Sequence, residues 1–456
     1  LPPVAKCCCS PPRPVQTGTP MSRQSAALSA GGIPPGALGV MWKTVSEDCN
    51  LACDYCYYST CGGRPGPKRG RIDHALLDKA IREYMAQSRG AVGFAWQGGE
   101  PLLAGLEFFE EVVALQAHYA PPNTVIGNAL QTNGTLLGED WARFFRQYNF
   151  LVGVSVDGPR EIHDAHRVTA TGKGSYDLVM RKIGHLRNHD VDFNILTVLH
   201  QGNVEKPREL MAFYSREDFH YVQFIPGMDF HAQSPDMPAR YLITAEQYGR
   251  FLCETFDLWC NDGAPRMSVR FFDNMLSVYA GRTAETCKHC RTCSRTLVLE
   301  QNGDAYPCDF YMGAECRLGN IGSDSLQDIL DRPAYRDFLQ LKEELPEQCR
   351  RCTHLRLCYG GCPRNRTWDS GGRATGPDYF CSAYRRFFDY AHERLTLLAR
   401  KLRTRWLIDY TRSGHDWPGR NDACICGSGR KFKHCCGPLR EELTAAQTVG
   451  NSQPGH

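Results

Sequence analysis

The sequence predicts an α/β protein whose first half is a parallel sheet or barrel and whose second half is a series of loop-rich, cysteine-dense modules. Three observations carry this. From about residue 40 to 230, strand-like apolar runs alternate with helical patterns, and repeated βα units build parallel sheets or barrels. The 23 cysteines fall mostly in three clusters, at 49–61, 287–381 and 424–436. The chain is 456 residues long with a hydrophobic fraction of 42%, enough for one large domain plus smaller ones.

Several classes are excluded at once. No run approaches the ~20 apolar residues that a membrane span needs. The net charge is +3 and no basic stripe is present, so neither nucleic acid nor membrane is an expected partner. No charged-then-apolar signal opens the chain, which makes the cytoplasm the expected location. A secreted disulfide scaffold would be short. Clustered cysteines in a long chain point to metal ligation. Scattered buried thiols account only for Cys253 and Cys260, on an apparent helix.

The elements follow in order. Residues 1–38 are rich in Pro, Ser, Gly and Ala and read as a disordered leader, with Met21 a candidate natural start. The candidate strands are 93–97, 125–132, 150–156, 193–199 and 221–225, and helical patterns at 74–88, 140–148 and 175–188 separate them. In such folds functional residues lie at the C-terminal ends of the strands. Residues 244–262 and 268–281 read as bridging helices. LVLEQNGDAYPCD (297–309) reads as a hairpin turning at Asn302-Gly303. Residues 315–381 are loop-rich, and a long amphipathic helix starts within 379–406. A compact cysteine unit follows at about 415–438, and 439–456 reads as a disordered tail.

CNLACDYCYY (49–58) holds cysteines at C-x3-C-x2-C with no matching fourth, although closed cysteine sites normally use four ligands. A zinc site completed by Cys61 is one way to fill the gap. The alternative is a cube that leaves one iron open. Cys49, Cys53, Tyr55 and Cys56 resemble the signature of the radical S-adenosylmethionine (radical SAM) enzymes. The resemblance implies a partial (β/α)6 TIM-like barrel over 39–243, with S-adenosyl-L-methionine as the fourth ligand of a 4Fe–4S cluster. WQGGEP (96–101) resembles the family's GGE motif. There Gly98 and Gly99 let the backbone come close, and Glu100 takes the methionyl ammonium. QTNG (131–134) and SVDG (155–158) fall at the ends of later strands. Ser155 resembles the ribose- or carboxylate-binding serine, Arg167 the carboxylate-binding arginine, and Met228 the backbone contact to adenine.

The second cluster reads Cys287-x5-Cys293-x14-Cys308, then Cys349-x2-Cys352-x5-Cys358-x3-Cys362-x18-Cys381. It resembles the SPASM domain, placed at 284–400 after a helical bridge at 244–283, and that resemblance implies two auxiliary 4Fe–4S clusters. One would take Cys287, Cys293, Cys308 and Cys362, the other Cys349, Cys352, Cys358 and Cys381. Paired zinc sites use the same ligand type, and Cys290 competes with Cys287 or Cys293. Asp309, beside Cys308 on the hairpin end, is a candidate general base or a turn aspartate capping amides.

The dense set WQGGEPLLAG, LQTNGTLL, VQFIP and YPCDFY resembles the anaerobic sulfatase-maturating enzymes over about residues 40 to 395. The resemblance implies oxidation of a Cys or Ser in a C/S-x-P-x-R peptide to Cα-formylglycine. It implies Cβ hydrogen abstraction by a 5′-deoxyadenosyl radical, with Asp309 as the base. It further implies three 4Fe–4S clusters, a sulfatase polypeptide as substrate, and an electron donor such as flavodoxin or ferredoxin. The rival readings are a SPASM enzyme forming thioether or carbon–carbon cross-links in a ribosomal peptide, and a non-enzymatic metal-binding adaptor. CSPPR (9–13) fits the target motif itself, with Cys9 as the would-be target, and chance accounts for it. Finally, Cys424-x-Cys426-x8-Cys435-Cys436 suits tetrahedral zinc and resembles the SEC-C motif, with His434 as an alternative ligand.

Overall fold

The computed structural model describes residues 38–58, 70–88, 90–228 and 241–450, with side chains to residue 444. The leader, Cys9, Cys61 and the last six residues, 451–456, lie outside the described residues.

Six parallel strands form the barrel wall: β1 (Gly39–Lys43), β2 (Ala91–Trp96), β3 (Val125–Thr132), β4 (Leu151–Ser155), β5 (Phe193–Leu199) and β6 (Tyr221–Pro226). They lie in chain order. The main helices between them are α1 (His74–Ala86), α2 (Leu106–Tyr119), α3 (Glu139–Gln147), α4 (Tyr176–Asn188) and α5 (Pro207–Arg216). Local chemistry sets where helices start. Asp73 caps α1 by accepting from the Leu76 amide at 2.9 Å. Thr244 and Gln247 form a capping box on α6 (Ala245–Cys260). The wall is packed by aromatics, with Trp42 and Trp96 stacked at 5.4 Å between centroids.

β1 and β6 do not pair, so the barrel is open. The short β7 (Ser268–Val269) closes the β6 edge. The β1 edge is taken by β8 (Thr296–Glu300), which runs parallel to β1 in register from Gly39↔Thr296 to Lys43↔Glu300. β9 (Asp304–Tyr306) and β10 (Gly319–Asn320) continue the sheet antiparallel. The expected hairpin is therefore present, but it belongs to the barrel's own sheet. Its turn spans three residues, 301–303, with Gly303 at φ +87°, rather than Asn302-Gly303 alone. A glycine in the left-handed region is what a three-residue loop of this kind requires.

α7 (Arg270–Tyr279) and α6 pack against the long α8 (Cys381–Arg412) through Phe256, Phe272 and Phe387. Cys253 and Cys260 are buried on α6, as an apolar face requires. The tail differs from expectation: Gly437–Gly450 is a helix, α9. The stretch PLREELTAA is rich in helix formers with Pro near its start, and Leu439 and Leu443 pack on the last cysteine unit. Among the described residues no helix is long and apolar enough to cross a membrane.

Candidate active site

The cysteine loop leaves β1 and folds over the C-terminal end of the barrel. A cavity of about 250 Å³ lies beneath it. Cys49, Cys53, Cys56, Tyr55, Gly98, Gly99, Ser155 and Arg167 all line this cavity, and so does Asp309. All three cysteines are half-buried residues. Burial pushes the Cys49 thiol up to about 11 and raises Cys53 further. Such thiols ionise when a metal takes them, so this triad and cavity fit a cluster with one open position and a small ligand beside it.

Gly98 and Gly99 do allow a close approach, and the chain they approach is the cysteine loop. A Cβ on Gly99 would stand 1.9 Å from the Asp48 carbonyl oxygen. The Gly99 and Glu100 amides donate to Ser46 O and Asp48 O at 2.8 and 2.7 Å. Glu100 caps the short turn that follows β2. It is fully buried behind the cavity wall. Its carboxylate accepts from the Leu102 amide (3.0 Å), the Thr132 hydroxyl (2.8 Å) and the Asn133 amide (2.7 Å). It thus braces the ends of β2 and β3. Burial pushes it up to about 7, against the pull of these donors.

Arg167 pairs with buried Asp157 at 2.9 Å, and the Tyr55 hydroxyl donates to the same carboxylate. Burial raises Asp157, but the Arg167 guanidinium, His163, His200 and the Tyr55 hydroxyl together outweigh it and hold the group below the usual carboxylate range. The guanidinium also sits 5.5 Å from the Tyr55 ring centroid. Ser155 Oγ accepts from Gln131 Nε2 at 3.0 Å. Met228 is partly buried against the core, and Ile225 supplies the β6 contribution to the cavity lining.

Asp309 does not cap backbone amides. Its Oδ2 accepts from the Tyr57 hydroxyl at 2.5 Å, and its Oδ1 pairs with the Lys43 ammonium. Gln97 Nε2 donates to the Tyr57 oxygen at 3.0 Å. Burial first, and Asp309 second, push the Tyr57 phenol well above its ordinary range, so it stays a donor. Sequence reasoning missed Lys43, Tyr57 and Gln97. A lysine ending an otherwise apolar strand, directly before the cysteine loop, was the available signal. A groove of about 1140 Å³ opens from this corner and shares Tyr57, Tyr58, Asp309 and Phe310 with the cavity.

Cys349, Cys352, Cys358 and Cys381 line a separate cavity of about 220 Å³. Cys293, Cys308 and Cys362 each lie within electrostatic reach of Cys287. Cys290 also lies within reach of Cys287, and its thiol donates to the Ala284 and Thr286 carbonyls at 3.2 and 3.5 Å. The Cys424, Cys426, Cys435 and Cys436 sulfurs are buried and lie within 4.8 Å of one another. His434 points outward, exposed, so the thiols alone converge there.

A cysteine triad over a barrel-top cavity, with a cysteine-rich module built onto the same sheet, defines a radical SAM protein with an iron–sulfur extension. The family models agree. The Radical SAM superfamily matches residues 44–214, an iron–sulfur cluster-binding domain (SPASM) 287–353, and the SEC-C motif 420–438. The serine-type anaerobic sulfatase-maturating enzyme of Bacteroides thetaiotaomicron is 36% identical over 382 residues, covering 80% of this chain and 92% of the relative. The cysteine-type enzyme of Clostridium perfringens is 34% identical over 374 residues, covering 81% and 100%. The structure of native anSMEcpe with bound AdoMet and Cp18Cys peptide superposes with TM-score 0.74 at 34% identity, covering 81% and 100%. The chain belongs to the anaerobic sulfatase-maturating enzyme family, and it is a radical SAM enzyme with iron–sulfur clusters.

Proposed function

We propose that this enzyme oxidises a Cys, or a Ser, in a C/S-x-P-x-R segment of an unfolded or nascent sulfatase to Cα-formylglycine. The observation that carries this is Asp309, whose carboxylate lines the same cavity as Cys49, Cys53 and Cys56. When bound on that triad, S-adenosylmethionine and a 4Fe–4S cluster supply a hydrogen-abstracting 5′-deoxyadenosyl radical. The chain's own residues do the rest. Arg167, Ser155 and the backbone at Gly98 and Gly99 line the space the ligand fills, and Met228 stays a proposed adenine contact.

Asp309 takes the proton from the target thiol or hydroxyl, which a base does from within about 3 Å. Cys308, next in the chain, would hold an auxiliary cluster that accepts the electron. One hydrogen atom from Cβ, one proton and one electron together make the two-electron oxidation. A Cys target becomes a thioaldehyde, which water hydrolyses to the aldehyde with release of hydrogen sulfide, and a Ser target gives the aldehyde directly. The groove beyond Asp309 suits an extended peptide, and Glu315 in its lining suits the motif's arginine.

The same reading assigns three clusters in all: one on the triad, one on Cys287, Cys293, Cys308 and Cys362, and one on Cys349, Cys352, Cys358 and Cys381. Zinc belongs on Cys424, Cys426, Cys435 and Cys436, and the work takes place in the cytoplasm with a small electron donor. The test is anaerobic reconstitution followed by incubation with C-x-P-x-R and S-x-P-x-R peptides, read by mass spectrometry with hydrazide trapping. Aldehyde on either peptide is expected, with Asp309→Asn lowering it ~10²- to 10⁴-fold while 5′-deoxyadenosine still forms. Deoxyadenosine with neither peptide changed overturns the substrate. Full aldehyde yield in Asp309→Asn overturns the base.

A further inference from the structure

The C-terminal layer of the barrel carries a polar row. Lys43 ends β1 and Glu300 ends β8, and the two are register partners, so their side chains leave the same face of the sheet. Gln97 follows β2, with its amide donating to Trp42 O at 3.1 Å. Across three neighbouring strand ends the row reads carboxylate, ammonium, amide.

Each member grips the loop above it. Glu300 accepts from the Tyr58 hydroxyl. Lys43 Nζ lies 4.3 Å from the Tyr58 ring centroid and pairs with Asp309. Gln97 steadies Tyr57, which donates to the other Asp309 oxygen.

Lys43 is the unusual member. Its side chain is 0% exposed, and an ammonium taken out of water is strongly unfavourable unless it is paired. The other β1 residues are Gly39, Val40, Met41 and Trp42, all uncharged. Among the described residues Asp309 is the one carboxylate with which Lys43 forms an ion pair. The pair also crosses a joint. Lys43 belongs to a barrel strand, and Asp309 to the segment after β9, next to Cys308. With Tyr57 alone, the carboxylate would be held through one oxygen, and the terminal torsion of an aspartate is broad. With the Lys43 ammonium beside the second oxygen, the ion pair restrains that rotation.

We propose that Lys43 is a positioning residue for Asp309, aiming the carboxylate at the target side chain. This rests on Asp309 being the proton acceptor. The experiment is a double-mutant cycle on the reconstituted full-length enzyme: Lys43→Met, Lys43→Arg, Asp309→Asn, and Lys43→Met with Asp309→Asn. The readouts are kcat and KM for aldehyde, deoxyadenosine formed per aldehyde, and iron per chain.

Lys43→Met is expected to lower kcat ~10- to 100-fold, the cost of a small misplacement at a reacting centre. KM should move by less than about threefold and iron should be unchanged, with more deoxyadenosine spent per aldehyde. Lys43→Arg should recover part of the loss. The double variant should be no slower than Asp309→Asn, because residues acting as a unit are not additive. A Lys43→Met loss that multiplies onto the Asp309→Asn loss overturns the proposal, as does a loss confined to KM. Should Lys43→Met not load iron, Lys43→Arg is taken through the same cycle and decides by the same criterion. An active Asp309→Asn with a slow Lys43→Met would instead sink the base assignment, so the two failures are told apart.

Discussion

Cys349, Cys352, Cys358 and Cys381 surround a cavity of about 220 Å³. Cys424, Cys426, Cys435 and Cys436 draw their sulfurs to within 4.8 Å, and among the described residues no other group of three or more potential ligands converges so tightly. The ligand chemistry is the same in both, and the space between the ligands differs. Four thiolates at about 2.3 Å from one ion stand roughly 4 Å apart, which suits the second set. A four-iron cube needs a hole, which suits the first. The triad of Cys49, Cys53 and Cys56 is of the first kind, since it too lines a cavity. One kind of site is built around a volume and the other around a point.

The largest expected effect breaks this comparison directly. In Cys358→Ser, iron should fall by up to about four atoms per chain with zinc unchanged. In Cys426→Ser, zinc should be lost with iron unchanged, and the small unit should unfold locally, because structural zinc contributes apparent free energies of about 10 kcal/mol or more. Metal analysis of both purified variants checks it. Iron loss in Cys426→Ser, or zinc loss in Cys358→Ser, would end the distinction.

The triad was the most legible part of the volume-type sites, because Cys49, Cys53 and Cys56 sit on short spacings where covalent connection limits the outcome. The strands at 125–132 and 193–199 fall where the alternation of patterns puts them. What was not legible depends on non-local register. Lys43 and Glu300 meet only because β8 pairs with β1 across about 250 residues of chain, and no local pattern encodes that pairing. The motif that suggests a ligand role for Glu100 is local. The residue's buried bracing role depends on Thr132 and Asn133 at the end of another strand. The helix at 437–450 was missed because its apolar residues are few and find their partners on α8 and the cysteine unit.

The second effect sharpens the comparison by testing the wall around the volume. Burial has pushed Glu100 up to about 7. The folded protein therefore holds this proton more tightly than the unfolded chain does. The cost is absent below the ordinary glutamate range, grows as pH rises from there through about 7, and is complete above it, reaching about 3 kcal/mol. Anaerobic melts of the barrel should show stability declining between pH 5 and 8. Glu100→Gln should flatten that slope while losing one hydrogen bond, since an amide nitrogen cannot accept from Asn133. A wild-type slope identical to that of Glu100→Gln would show that the carboxyl is not the source. The point-type site has no such buried carboxylate among its described partners, so its own melting should lack this slope.

The smallest effect concerns how the point-type site is held to the rest. Arg282 follows α7, and its guanidinium lies 3.8 Å from the Trp406 ring centroid on α8. It also donates to the Cys426 carbonyl at 2.9 Å. Arg403 on α8 donates to the Cys435 carbonyl at 2.5 Å, and Leu407 is buried beside both cysteines. The unit is therefore docked on the helices rather than tethered to them by chain alone. An exposed cation–π contact is worth about 0.5–1 kcal/mol and a hydrogen bond about 1 kcal/mol. Arg282→Ala should then speed amide hydrogen exchange across 424–436 by roughly tenfold, with exchange in β4 unchanged and zinc retained. Zinc loss in this variant would mean that docking, and not the four thiols, holds the ion. Unchanged exchange would mean that Arg403 and Leu407 suffice and that α7 only lies alongside.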